Sequence, residues 1–495
     1  MHRIGFDNDK YLSMQSEKIK ERIDLFGGKL YLEFGGKLFD DFHAARVLPG
    51  FKPDSKVNML MQLKDQAEIV IVINSADIEK NKHRGDLGIT YDADVLRLID
   101  SFHEIGLYVG SVVLTRYNQQ PSVEKFRNRL LNLGVKVYRH YLIPGYPSDV
   151  DYILSDEGIG RNEYIETSRS LVVITAPGPG SGKMATCLSQ LYHDQKRGVH
   201  AGYAKFETFP VWNLPLKHPV NVAYEAATAD LNDVNMIDPF HLEEYGETAV
   251  NYNRDIEIFP VLRTMFENIM GECPYKSPTD MGVNMAGCCI TDDTAVREAA
   301  NNEIIRRYYQ AIVANRQGLS SAEMIDKIKL LMNQAHLTVA NRPVVAAALQ
   351  KSEENETTPA AAIELNDGTI VTGKTTSLLG ATSAMLLNAL KVLAGLPDEM
   401  LLISPKIIEP IQEMKVSHLG NRNPRLHTNE VLIALSICAA TDPNAQLAID
   451  QLTKLRHCQV HSTVILSEVD ERTLKKLGVD VTCEGKYQIH RLYHK

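Results

Sequence analysis

The first half of this chain reads as an α/β domain of the Rossmann-like, doubly wound type with a degenerate phosphate loop. A helical middle region and a C-terminal mixed α/β domain follow it. Three features predict this. Residues 29–200 alternate short apolar runs with helix-patterned stretches, and unbroken apolar runs suit parallel strands buried on both faces. One such run passes directly into a glycine-rich loop and then a helix, over residues 171–194. The polar stretch Lys351–Pro359 then sets a second mixed region apart from everything before it.

Taken in order, Lys29–Phe34 is a strand that ends in Gly35-Gly36. Asp54–Gln66 is a helix with Val57, Leu60 and Met61 on its apolar side. Glu68–Asn74 is a strand, Asp92–Ile105 a helix and Tyr108–Leu114 a strand. Ser122–Leu133 is an amphipathic helix, and Val135–Ile143 and Ser170–Ala176 are strands. Residues 205–290, rich in Asn, Asp, Pro and Tyr, show little periodicity. Apolar residues at helical spacing return at Asn302–Asn315 and Ser321–Ala335. Beyond the linker, a hairpin fits Ile363–Thr372 around Asn366-Asp367-Gly368. Helices fit Ser377–Ala394, Asn429–Ala439 and Ala445–Leu455, and strands fit Ser462–Leu466 and Val479–Cys483. The expected domains are therefore 1–240, 241–355 and 356–495.

The bulk numbers exclude several classes. A chain of 495 residues suits about three domains. The net charge of −9 argues against a generic nucleic-acid binder, which needs a basic face to displace counterions. No stretch approaches the ~20 apolar residues needed to span a bilayer, so no membrane partner is expected. The opening run Met1–Lys10 is polar, and no secretory leader is expected from it. The seven cysteines are dispersed, odd in number and free of any C-x-x-C pair. That usage suits a reducing cytoplasm better than a disulfide framework, and no structural metal site is expected. A homo-oligomer is left open.

Two segments compete as phosphate loops. The literal pattern G-x-x-x-x-G-K-[ST] occurs once, at Gly368–Thr375. Its interior, Thr369-Ile370-Val371-Thr372, prefers an extended strand, whereas a phosphate loop must turn so that N–H groups converge on the anion. A chance match on a hairpin is the better account. The stronger segment departs from the pattern. Strand Leu171–Thr175 runs into Ala176-Pro177-Gly178-Pro179-Gly180-Ser181-Gly182-Lys183, and a helix follows from Met184 to about Asp194. Gly178, Gly180 and Gly182 let the backbone approach an anion, Ser181 lies between them, and Lys183 adds a full charge at a helix N-terminus. Pro177 replaces the first glycine of the pattern, and Met184 replaces the hydroxyl residue that would hold Mg²⁺. The loop is thus competent for phosphate and deficient for the usual metal. The alternative account is a glycine-rich turn without a ligand.

The chemistry, if the loop serves any, would come from polar clusters downstream. Glu225–His241 contains Asp230, Asp233 and Asp238, and the run from Tyr275 to Asn284 contains Lys276 and Asp280. These five are the candidates for acid/base or substrate-binding roles. The same residue types also serve as helix caps and turn formers, and both accounts stay open. Asp238, after the short apolar run Val234–Ile237, is the nearest match to an acidic residue at a strand end. In the C-terminal region, Ser417–His427 holds two Arg and two His and reads as a solvated loop.

The loop Ala176–Lys183, the run Ala227–Asn235, Lys276–Asn284 and Gly380–Ala384 together resemble a family of conserved bacterial proteins, domain of unknown function 1846. The resemblance covers nearly the whole chain. It implies a cytoplasmic bacterial protein with a Rossmann-like N-terminal part, a helical middle and a C-terminal α/β part. It carries no activity, so no catalytic residue is transferred. The working expectation is a protein that binds a nucleotide or other phosphorylated small molecule, as an enzyme of phosphorylated-metabolite chemistry. The alternative is a non-catalytic ligand-binding or assembly protein with a vestigial loop. No particular cofactor is indicated.

Overall fold

A computed structural model of the chain describes residues 3–84 and 88–488, so the first two residues of the opening run lie outside it. The chain forms two compact units. One comprises Ile4–Glu225 and Asn232–Arg297; the other is built on Ala226–Leu231 and the chain from Glu298 on.

The first unit holds β1 (Leu30–Phe34), β2 (Ala67–Asn74), β3 (Tyr108–Tyr117), β4 (Val137–Tyr141), β5 (Leu171–Thr175) and β6 (Gly202–Phe206). After a small antiparallel pair, β7 (Asn235–Ile237) and β8 (Val250–Tyr252), comes β9 (Gly282–Val283). Seven of these strands form one sheet in the order β4-β3-β2-β5-β1-β6-β9, with every neighbouring pair parallel. All residues of β1, β2 and β5 are buried, which is why their sequences are apolar without alternation. One face packs on the helices Lys183–Lys196 and Asn253–Met270 through Tyr31, Ile174, Leu188, Tyr203, Phe259 and Phe266.

The strand order fixes where a ligand can sit. β1 connects to β2 across β5, whereas β5 connects to β6 across β1. Adjacent strands whose connections leave in opposite directions open a crevice beyond their carboxyl ends, the usual ligand position in such sheets. The glycine-rich loop follows β5 and lies at that crevice. Its helix is fastened at the other end. The buried Asp194 carboxylate accepts hydrogen bonds from the hydroxyls of Tyr31 (2.7 Å) and Tyr164 (2.8 Å) and pairs with Lys29 (2.9 Å).

Residues 205–290 are more regular than their sequence suggests. They contain the helices Pro219–Ala227, Pro239–Tyr245 and Asn253–Met270. The last buries Ile256, Phe259, Leu262, Met265, Phe266 and Ile269 at helical spacing. Pro260 stands inside it, and proline's missing N–H is what makes such a stretch read as broken. The long helix Asn8–Leu25 and strand β6 were likewise not expected.

In the second unit, β10 (Ala360–Glu364), β11 (Ile370–Lys374), β12 (Gln459–Ser462) and β13 (Asp480–Cys483) form a sheet ordered β11-β10-β12-β13. The expected hairpin is present: β10 and β11 are antiparallel, and Gly368 turns the chain at φ +88°. The expected strand at Ser462–Leu466 lies earlier, at β12, where it pairs with both β10 and β13. The helices expected at Asn302–Asn315 and Ser321–Ala335 fall within Asp293–Arg316 and at Ala322–Gln334. A further helix, Pro343–Glu353, runs into the first residues of the expected linker. All seven cysteines are free, and among the described residues no helix is long and apolar enough to cross a membrane.

The hairpin also explains the false motif. Gly373 lies in β11 against the helix Ala381–Ala394, where a Cβ would stand 2.1 Å from the Met385 amide nitrogen. Its glycine serves close packing. Gly373→Ala is therefore expected to destabilise the second unit by about 1–3 kcal/mol, as overpacking does. Lys374→Ala should stay within ~0.5 kcal/mol. Urea unfolding of the two variants checks this.

Candidate functional site

The loop between β5 and the Lys183–Lys196 helix is held open by its neighbours. The Asn74 amide donates to the Gly180 carbonyl (3.3 Å). The Thr115 hydroxyl donates to the Ser181 carbonyl (2.7 Å), and the Ser181 hydroxyl to the Gly178 carbonyl (2.8 Å). With the carbonyls engaged, the N–H groups of Gly180, Ser181, Gly182, Lys183 and Met184 find no backbone acceptor among the described residues. Unpaired N–H groups at a loop and helix start are what an anion-binding concavity consists of. Two glycines are sterically required. A Cβ on Gly178 would meet the Tyr91 hydroxyl at 2.3 Å, and Gly182 caps the helix at φ +90° beside Thr115.

Lys183 opens the helix, and its ammonium makes no hydrogen bond or ion pair among the described residues. Burial pushes its pKa below the usual lysine value, against the pull of Glu33. Met184 packs on the core of the first unit with Cys187 and Leu188, so its side chain is committed to packing. The Thr186 hydroxyl, two residues on, donates to the Gly182 carbonyl within the helix (3.0 Å). Met184 has no hydroxyl, and Thr186 is fully buried within the helix.

Beyond Lys183 lies a cluster of charges that sequence reasoning did not assemble. Glu33 of β1 pairs in register with Lys205 of β6, so both project from the same face of the sheet. The Tyr203 hydroxyl donates to Glu33 (2.7 Å). Lys205 bridges Glu207 (2.6 Å) and Asp255, the latter in the first turn of the Asn253–Met270 helix. Burial, with Asp255 and Glu33 adding repulsion against the attraction of Lys205, pushes the Glu207 carboxyl up to about 7. Burial likewise lifts the Tyr203 hydroxyl well above the usual range. The signal in the sequence was a charged residue at the end of each strand, in Leu30–Phe34 and Gly202–Phe206.

The five expected chemistry-bearing residues divide. Asp233, buried, forms a two-point pair with Arg254 (2.6 and 2.9 Å), and burial raises its carboxyl above the ordinary range. Arg254 also acts on Lys183 electrostatically, so Asp233 belongs to the edge of the cluster. Asp238 caps the Pro239–Tyr245 helix. Its carboxylate accepts from the Phe240 and His241 amides and from the amide and hydroxyl of Thr279. Asp280 sits in a capping box with Ser277 and accepts from the Tyr245 hydroxyl (2.9 Å). Lys276 is exposed, and Asp230 is exposed on a short turn of the second unit. Ser417–Pro424 is exposed, as expected of a solvated loop.

Glu207 makes the site's pH dependence calculable in sign. A carboxyl raised in the folded state binds more protons there than when unfolded, between its ordinary value of 4.5 and about 7. Stability therefore falls as pH rises through that window. Native protein should lose more than ~1 kcal/mol relative to Glu207→Gln between pH 5 and pH 7.5. Chemical denaturation at several pH values measures it, and parallel curves would show that Glu207 titrates normally.

Comparison with known proteins relates the whole chain to a family. The N-terminal model of domain of unknown function DUF1846 matches residues 4–336, and its C-terminal model matches residues 340–493. A UPF0371 protein of Streptococcus pneumoniae (strain JJA) is 58% identical over 495 residues, covering 100% of both chains. A UPF0371 protein of Streptococcus thermophilus is 57% identical over the same full lengths.

Proposed function

The chain belongs to the DUF1846 family, and from that premise we propose that it is a cytoplasmic protein binding a phosphorylated small molecule at Gly178, Gly180, Ser181, Gly182 and Lys183. One observation carries the reading. A partly buried ammonium without a partner among the described residues stands beside a row of unpaired N–H groups, at the crevice where opposed crossovers leave the sheet. An isolated charge withdrawn from water is costly, and an arriving phosphate would offset that cost. A purely structural loop gives no reason to keep Lys183 there.

Lys183→Met tests this directly. It should abolish the thermal stabilisation given by millimolar inorganic phosphate. It should leave the unfolding free energy unchanged within ~0.5 kcal/mol or raise it, since it removes a partly buried charge without a partner among the described residues. A structural lysine would give the reverse pattern. Absence of any phosphate response in native protein would defeat the proposal.

Met184 favours a second reading of the same loop: ligand binding without metal-assisted phosphoryl transfer. Phosphate loops that act through Mg²⁺ fix it with the hydroxyl that follows the lysine, and a thioether does not select Mg²⁺. In calorimetric titrations, Mg²⁺ is expected to strengthen binding of inorganic phosphate or ATP by less than tenfold over chelator. A gain of tenfold, ~1.4 kcal/mol, would restore the metal-assisted class.

A further inference from the structure

We infer that the compound bound at this loop is a phosphomonoester of a polyhydroxylated skeleton, of the sugar-phosphate class, whose hydroxyls are received by Glu33, Glu207 and Asp255. The inference rests on the phosphate-loop reading and names its substrate class. It follows from how the charges of the site are already spent. Lys205 is claimed by Glu207 and Asp255, and Arg254 by Asp233. Lys183 is the ammonium of this cluster that lacks a partner among the described residues. One open cation and one row of N–H groups suit one phosphate.

A polyphosphate would fit poorly. Its further phosphates would stand among Glu33, Glu207 and Asp255, where Lys205 and Arg254 are already engaged by carboxylates. Met184 supplies no oxygen to hold a shielding Mg²⁺. What the three carboxylates do offer is acceptor capacity. Glu33 uses Oε2 on Tyr203, Glu207 uses Oε1 on Lys205, and Asp255 uses Oδ2 on Lys205. Among the described residues Glu33 Oε1, Glu207 Oε2 and Asp255 Oδ1 are engaged by no hydrogen bond. Ionised carboxylates only accept, a protonated carboxyl such as Glu207 at lower pH can also donate, and a hydroxyl meets either form without adding charge. Acidic residues receive ribose hydroxyls in this way at the crevice of other doubly wound sheets. Gly282 lies beside Glu207: a Cβ there would stand 3.6 Å from Glu207 Oε2, in ordinary contact.

The test is calorimetric titration of the full chain with inorganic phosphate, ribose 5-phosphate, glucose 6-phosphate, glycerol 3-phosphate and ATP, the last with and without Mg²⁺. At least one of the three hydroxylated monoesters should bind tenfold or more tightly than inorganic phosphate, and ATP should bind less tightly than that ester. Glu207→Gln and Asp255→Asn should reduce the ester's advantage to threefold or less. Their affinity for inorganic phosphate, which also reports that each variant is folded, should stay the same or rise. Inorganic phosphate binding as tightly as every ester, ATP binding most tightly, or an advantage that survives in both variants would overturn the inference and leave the phosphate loop standing. Failure of every probe, inorganic phosphate included, would remove both.

Discussion

The constraint on which the first unit depends is the position of β5 between β1 and β2. β5 is last but one in sequence among the six long strands, yet it lies in the middle of the sheet and joins β1 to β2. A strand there is covered on both faces and hydrogen-bonded on both edges, so it is apolar and in fixed register. That fixes the point at which the chain leaves the sheet. The glycine loop then has one place to go, above the crevice between β1 and β5. The buried bonds to Asp194 hold the far end of its helix against β1. The loop's orientation is thus a consequence of sheet order, reinforced by the donors Asn74 and Thr115 from the two strands beyond β5.

The same order brings the charges together. Glu33 and Lys205 face each other because β1 and β6 are paired in that register, and Asp255 and Lys183 arrive from helices packed on that face. With Glu207 beside Lys205, five ionisable groups at the edge of a core would be expensive if left alone. Lys205 offsets much of this cost by serving two carboxylates at once, and Tyr203 satisfies Glu33. The remaining imbalance is not spread evenly. It falls on Lys183, which has no partner among the described residues, and on Glu207, whose carboxyl resists ionisation. Perturbed groups gathered in a cleft are the electrostatic mark of functional sites, because a stability-optimised interior would have paired or removed them.

Much of the first unit was legible in the sequence, since strands buried on both faces announce themselves by unbroken apolar runs. The strand–loop–helix at Leu171–Lys196 was legible for the same reason. The charge cluster was not. It depends on register between strands far apart in the chain, and no local pattern states that Glu33 will face Lys205. Asp238 and Asp280 illustrate the opposite difficulty. Aspartate before a helix is the preferred cap, and a cap and a catalytic acid look alike until their partners are known. Here each carboxylate is occupied by backbone amides and hydroxyls of its own neighbourhood. Asp233 became informative only through Arg254, whose position follows from a helix that Pro260 had concealed.

The two glycine–lysine motifs put the same residue types into different backbone settings. Both place a glycine before a lysine, and in both the glycine is sterically required. At Gly373 the requirement comes from the backbone of a packed helix, and the segment runs extended, paired antiparallel with β10, so its N–H groups alternate in direction and do not converge. At Gly182 it comes from a left-handed turn beside Thr115, which diverts the chain so that successive N–H groups are left without backbone acceptors among the described residues. The spacing of residues is the same in outline; the destination of the backbone hydrogen bonds differs. An anion can be held only where those donors have not been used already. By that criterion the loop with the imperfect sequence, and not the literal match, is the one that keeps successive donors free in a turn.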